Sequence, residues 1–221
     1  MAWSELSEWW VEELAGDFSY ETVVTPLLLA TLNPVPDRLY LDLGAGEGRI
    51  MRIMSDRGMS VVGVDLSEQL AAASGSPMVV SEMPPIPMRD GAVDGVYSVL
   101  TLEHIFELSV LLTECARITR VGGVLAVVIN HPVWTAPGST PITDTDGEVL
   151  WRPGQYFSKG STQIRAGEHT VTFHHRTMAS LLNSAAGSGW SLEHMIERPH
   201  HELEDQAGVP RLLACRWLLL P

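Results

Sequence analysis

Apolar residues recur along this chain in two rhythms. Short runs rich in Val, Ile and Leu occupy 39–43, 60–65, 79–80, 93–100 and 124–129. Runs of this kind bounded by Gly, Pro or Asp read as strands. One with no polar member, Val124-Leu125-Ala126-Val127-Val128-Ile129, suits a strand buried on both faces of a parallel sheet. Helical spacing lies between them. The clearest case, 107–119, sets Leu108, Leu111, Leu112, Cys115 and Ile118 on one stripe, with Arg117 and Arg120 near its end to suit the helix dipole and Gly122-Gly123 to stop it. Before the first strand, 3–14 carries Trp3, Leu6, Trp9, Trp10 and Leu14 in an amphipathic pattern. A further helix at 25–32 leads to the turn Pro34-Val35-Pro36-Asp37. Strand and helix alternate through 39–130, which predicts an α/β fold: a doubly wound parallel sheet with helices on both faces and right-handed crossovers. Beyond it, 169–174 alternates like a strand, 176–183 reads as a helix ended by Gly187-Ser188-Gly189, and 190–197 and 212–219 are the last two strands, the final one antiparallel.

In such a sheet, ligands bind at the carboxyl ends of the strands. The residues singled out between Gly44 and Asn130 are all expected at those ends. The first end is Leu39-Tyr40-Leu41-Asp42-Leu43-Gly44-Ala45-Gly46-Glu47-Gly48. Its glycines permit positive φ and let a ligand lie against the main chain. A dinucleotide fingerprint reads G-x-G-x-x-G, with the pyrophosphate on the helix N-terminus. Here the third glycine comes one residue early, and Asp42 and Glu47 put two carboxylates where a pyrophosphate needs donors. The loop suits a ligand with cationic groups.

Downstream, Ser60-Val61-Val62-Gly63-Val64-Asp65 ends in an acid about twenty residues past the glycines. The two oxygens of a carboxylate match a vicinal diol, so Asp65 points to a ribose. Its plainer role is N-cap of a helix over 66–73. Then come Glu82-Met83, the extended Pro84-Pro85-Ile86-Pro87-Met88, an Asp90-Gly91 turn, Asp94-Gly95-Val96-Tyr97-Ser98, and Leu102-Glu103-His104.

In this order and spacing, the segments resemble the class I S-adenosylmethionine-dependent methyltransferases of the bacterial small-molecule type. The resemblance is specific over 39–130 and looser elsewhere. It implies a Rossmann-like, mostly parallel seven-stranded sheet with an antiparallel last strand, and S-adenosyl-L-methionine as cofactor. Carried over residue by residue, it implies contacts from Asp42, Gly44, Ala45 and Gly46 in the first motif. Asp65 and Leu66 would lie at the ribose, Glu82 and Met83 at the adenine, and Ser98 and His104 after the fourth strand. Glu82 departs from the family's usual Asp. Tyr20 would touch the cofactor from the N-terminal cover. The implied organisation is one domain over 1–221: a helical cover (1–36), a cofactor-binding core (37–130), a substrate lid insertion (131–168) and C-terminal strands and helix (169–221).

Composition narrows the partners. At 221 residues and 45% hydrophobic content, the chain can bury a single large core. Fourteen basic residues against 27 acidic ones, a formal net charge of −13, argue against nucleic acid, whose phosphates need clustered Lys and Arg. Arg49 and Arg52, at i and i+3, read as a solvated helix face. Neither a long apolar span nor a leader pattern is present, which predicts a cytoplasmic protein without membrane attachment. Cys115 and Cys215 read as core thiols. The adjacent pairs His174-His175 and His200-His201 would point to opposite strand faces, so no metal site is expected.

Methyl transfer to a hydroxyl or amine needs a base, and histidine is the economical choice. The candidates, in order, are His131, His104 and His174; each could instead cap, pack or face solvent. Residues 131–168 interleave turn residues with Trp134, Trp151, Tyr156 and Phe157. A long loop carrying large aromatics is expected to build a substrate pocket, with Trp134, Trp151 and Tyr156 contacting a small-molecule acceptor. Two other readings compete: a noncatalytic member of the fold that binds the cofactor or a protein, and a nicotinamide oxidoreductase, which Asp42 and Glu47 disfavour. The sequence leaves oligomeric state open.

Overall fold

The computed structural model describes residues 11, 18–166, 168–199 and 206–221. The expected helix over 3–14 and the pair His200-His201 lie outside them. A π-helical turn, Tyr20–Val24, runs into α1 (Thr25–Leu32) and the turn before β1 (Leu39–Leu43). There follow α2 (Arg49–Ser55), β2 (Ser60–Asp65), α3 (Glu68–Ala73), β3 (Met78–Val80), β4 (Val93–Val99), a 3-10 turn (Leu102–His104), α4 (Leu108–Ile118) and β5 (Thr119–Asn130). Between β5 and the last helix lie α5 (Pro132–Thr135) and two hairpins, β6 (Thr140–Thr143) with β7 (Val149–Arg152) and β8 (Ser161–Ala166) with β9 (His169–His174); β9 follows the expected insertion over 131–168. Last come α6 (Met178–Gly187), β10 (Trp190–Pro199) and β11 (Pro210–Leu219).

Seven strands form one sheet in the order β3-β2-β1-β4-β5-β11-β10. Every pairing from β3 to β5 is parallel, and β11 runs antiparallel to both β5 and β10. This is the mixed, doubly wound sheet expected from the alternation of strand and helix. One core lies under α4 and α6, centred on Leu111, Leu112, Cys115, Ile118, Leu213 and Trp217. The other lies under α1 and α2, centred on Leu28, Leu32, Met51, Met54 and Tyr97. Cys115 and Cys215 are buried free thiols, each pushed up to about 12 by burial. Among the described residues no helix is long and apolar enough to cross a membrane, and no group of three His, Cys, Asp or Glu side chains is placed to hold a metal.

Several boundaries differ from expectation for local reasons. Helix α4 ends at Ile118, and β5 starts at once at Thr119, so Gly122-Gly123 sits inside the strand rather than capping the helix. The β4–β5 register shifts between Val93 and Gly95, a bulge that Gly122 accommodates at φ +79. Helix α3 begins after Ser67, whose hydroxyl accepts the Leu70 amide; this leaves Asp65 outside the cap. Helix α6 likewise starts after the Thr177 cap and runs four residues past the expected end. Arg52 donates to the carbonyls of Glu47 and Ser74, and Arg49 pairs with Glu47, so neither belongs to a plain solvated face. Asp94 opens β4 at the amino edge of the sheet, bound by Arg38, Arg120 and the Leu39 amide, far along the strand from the carboxyl ends expected of it.

Candidate functional site

The glycine loop leaves β1 at its carboxyl end and turns into α2. Gly44 and Ala45 both donate to the Val64 carbonyl, at 2.9 and 3.1 Å, so the loop continues the pairing with β2. Gly44 stands at φ +79, and a Cβ there would meet the Thr101 hydroxyl at 2.3 Å, so only glycine lets the segment after β4 pack against the loop. Asp65, at the end of β2, accepts the Gly46 amide on Oδ2 and the Ser67 amide on Oδ1, both at 2.8 Å. It ties the glycine loop to the neighbouring strand and keeps lone pairs for a further donor on each oxygen.

These elements surround a cavity of about 420 Å³. Of the cofactor contacts expected from sequence, Tyr20, Asp42, Gly44, Ala45, Gly46, Asp65, Leu66, Glu82, Met83 and His104 all line it. Ser98 does not. It is buried within the sheet, where its hydroxyl donates to the Leu43 carbonyl at 2.8 Å and braces β1 against β4. Arg117 holds the proline-rich loop that carries Met83 and Pro84 by donating to the carbonyls of Ile86 and Met88 and to Asp90.

The walls are acidic. Asp42, Glu47, Asp65, Glu82 and Glu107 face one guanidinium, that of Arg49, which pairs with Glu47 at 3.2 Å and lies 5.5 Å from the centre of the Tyr20 ring. Asp42 is 3% exposed, and burial, with the Asp65 and Glu47 charges adding, pushes its carboxyl up to about 8. Tyr97, its register partner on β4, pulls it partly back. The buried Tyr97 hydroxyl makes no well-formed hydrogen bond among the described residues, so the pull is weak. Burial also raises Asp65, against the opposing pull of its backbone donors. Such walls oppose a pyrophosphate and favour a cation.

The three histidines part company. His104 lines the cavity; its Nδ1 lies 3.0 Å from the Thr172 carbonyl, and its ring meets Phe173 edge to face at 4.6 Å. A carbonyl only accepts, so Nδ1 carries the proton and Nε2 is the acceptor of the neutral ring. Burial lowers its pKa, with Glu103 pulling the other way. His131 is not at the cavity. It is 2% exposed, its Nδ1 caps α5 by accepting the Val133 amide, and its Nε2 donates to Glu197 at 2.8 Å. The pattern Asn-His-Pro after a strand serves equally for a cap, and that is how the chain uses it. His174 lines a different, smaller recess and packs its ring on Phe106.

Nor does the structure bring Trp134, Trp151 or Tyr156 to the large cavity. Trp134 and Trp151 stack at 4.5 Å, joining α5 to the β6–β7 hairpin, and Tyr156 accepts the Met178 amide at the start of α6. These half-buried aromatics pack within their own part of the chain, Trp134 on Trp151 and Tyr156 against Phe157 and His175. What reaches the cavity edge is β9, just beyond the insertion, whose Thr172 and Phe173 hold His104. Sequence reading also missed Thr101, Ile105 and Phe106, which line the cavity around the Leu-Glu-His element, and Leu100, which turns the chain there at φ +51. Their proximity to His104 was the available signal.

Residues 41–127 match a family described as a methyltransferase domain. A protein of Mycobacterium sp. strain JLS described as an uncharacterized methyltransferase is 33% identical over 105 residues, covering 45% of this chain and 41% of the relative. A malonyl-(acyl-carrier protein) O-methyltransferase of Coxiella burnetii is 33% identical over 96 residues, covering 42% and 33%. The chain thus spans less than half the length of these relatives. Among solved structures, an S-adenosylmethionine-dependent methyltransferase of Mesorhizobium loti superposes with a TM-score of 0.80 at 24% identity, over 93% of this chain and 99% of that one. At that identity the likeness is one of fold.

Proposed function

We propose that the chain is an S-adenosylmethionine-dependent methyltransferase that methylates a small-molecule acceptor in the cytoplasm, with no nucleic acid involved; the match of residues 41–127 to a methyltransferase domain supports this reading. The acid-lined cavity at the carboxyl ends of β1, β2 and β4 carries this reading. S-adenosylmethionine, when bound, supplies an electrophilic methyl on a sulfonium. Its donor chemistry suits these walls: an ammonium and a sulfonium for the carboxylates, a ribose diol for Asp65 and an adenine for Glu82 and the Met83 backbone. Asp42, held near 8 without a counter-charge, gains most from an ammonium beside it.

Methyl transfer is an in-line displacement: the acceptor–methyl bond forms as the sulfur–methyl bond breaks, and the sulfur keeps the electron pair. The chain's work is to align the acceptor within about 3–3.5 Å of the methyl and to keep water out. Tyr20 and Arg49, stacked across the cavity wall, serve the exclusion. An acceptor that enters as an amine or hydroxyl must also lose a proton, and His104 takes the role of base, receiving it on Nε2 while Nδ1 stays fixed on Thr172. The acidic chain and cavity support an acceptor that is not a nucleic acid. Release of S-adenosylhomocysteine, followed across a panel of small amines, alcohols and thiols, tests the activity.

A further inference from the structure

The 3-10 turn Leu102–His104 divides two cavities. Thr101 and His104, three residues apart and so on one side of the turn, line the 420 Å³ cavity. Leu102 and Glu103 line a recess of about 30 Å³, bounded also by Asn130 at the end of β5, Pro132 and Thr135 of α5, and His174. Glu103 is 7% exposed. Its Oε1 accepts the backbone amide of Asn130 at 3.2 Å and the side-chain amide at 2.7 Å. Its Oε2 is buried with no hydrogen-bond partner among the described residues. The neighbouring Arg176 does not satisfy it, because that guanidinium donates to the carbonyls of Leu102, Ile105, Phe106 and His174.

A buried carboxylate oxygen without a donor is expensive, and a donor from a ligand or a water offsets that cost. This one is also braced. Asn130, which fixes Oε1, is itself held by Arg211, whose guanidinium lies 4.7 Å from the centre of the Trp134 ring in the Trp134–Trp151 stack. The Trp134–Trp151 stack therefore bears indirectly on where this carboxylate is held.

We propose that this recess anchors the methyl acceptor and that Glu103 Oε2 reads an N–H or O–H donor at the acceptor's tip. The proposal rests on the methyltransferase reading above. Glu103 repels a carboxylate or phosphate there, and Arg176, the cation that lines the recess, is already engaged by four backbone carbonyls. Phe106, 73% exposed and lining the large cavity, meets His174 of the recess edge to face at 5.3 Å. The body of the acceptor crosses this ring pair, with its tip on Glu103 and its nucleophile beside His104.

Titration of the S-adenosylhomocysteine-saturated protein with benzylamine, benzyl alcohol and benzoate tests the subsite. The amine and the alcohol bind and benzoate does not, and Glu103→Gln weakens benzylamine at least tenfold while S-adenosylhomocysteine affinity stays within twofold. Benzoate binding as tightly as benzylamine, or unchanged benzylamine affinity in Glu103→Gln, overturns the proposal. A crystal of the wild-type complex decides it without the variant: the amine nitrogen on Oε2 supports it, and a lone water there with benzylamine elsewhere refutes it. Failure of the wild-type protein to bind S-adenosylhomocysteine at all would instead strike the methyltransferase reading.

Discussion

Asp65 accepts the amide of Gly46 at 2.8 Å, so the acid that ends β2 fixes the loop that follows β1. One side chain thus shapes the cavity and offers it the oxygens suited to a ribose. Asp65→Ala removes both. Hydrogen bonds to a charged group contribute roughly 1.5–3 kcal/mol, so S-adenosylhomocysteine affinity should fall about ten- to a hundredfold or more in titration calorimetry. Unchanged affinity would remove Asp65 from the site.

Asp42 makes the site proton-linked. Its carboxyl titrates near 8 in the folded chain against about 3.8 ordinarily, so between these values the folded state holds a proton that the unfolded state has lost. Its favourable contribution is complete below pH about 4 and is lost as pH rises through 8. In the absence of ligand, the melting temperature of wild type should therefore fall relative to that of Asp42→Asn between pH 5 and 9. Parallel curves would contradict the buried, unpaired carboxyl. The same assignment predicts proton release when S-adenosylmethionine binds at pH 7, seen as a dependence of binding enthalpy on buffer ionisation and absent in Asp42→Asn.

His104→Ala should lower turnover by about 10²- to 10⁴-fold with an amine or alcohol acceptor, the usual worth of a positioned base. Cofactor affinity should change little. A variant that turns over normally would show that the acceptor needs no base from this residue.

His131→Ala should behave as a lost helix cap. Its removal should cost on the order of 0.5–2 kcal/mol in urea unfolding while leaving S-adenosylhomocysteine affinity intact. A large loss of turnover at unchanged stability would return His131 to the chemistry.

The fold was legible because its two periodicities are strong. The all-apolar 124–129 run and the 108–118 stripe each allow one packing, and α1 begins at Thr25 and ends at Leu32 as its pattern predicts. The glycine loop and Asp65 were legible for a related reason: backbone freedom and a carboxylate at a strand end leave a local trace. What the sequence could not show was where distant segments meet. Asn-His-Pro looks the same whether the histidine is a base or caps α5 on Glu197. Aromatics in a long insertion look alike whether they face a ligand or, like Trp134 and Trp151, each other. Glu103 stands in the Leu-Glu-His element, but its orphaned oxygen arises from the meeting of β5 with the 3-10 turn, 27 residues apart in sequence.

The central claim is that the acid-lined cavity takes a cationic nucleoside rather than a pyrophosphate. Titration calorimetry of the full chain with S-adenosylmethionine, S-adenosylhomocysteine and NAD in one buffer tests it most directly. The account predicts saturable binding of the first two and none of NAD. Binding of NAD without either of the others would contradict it.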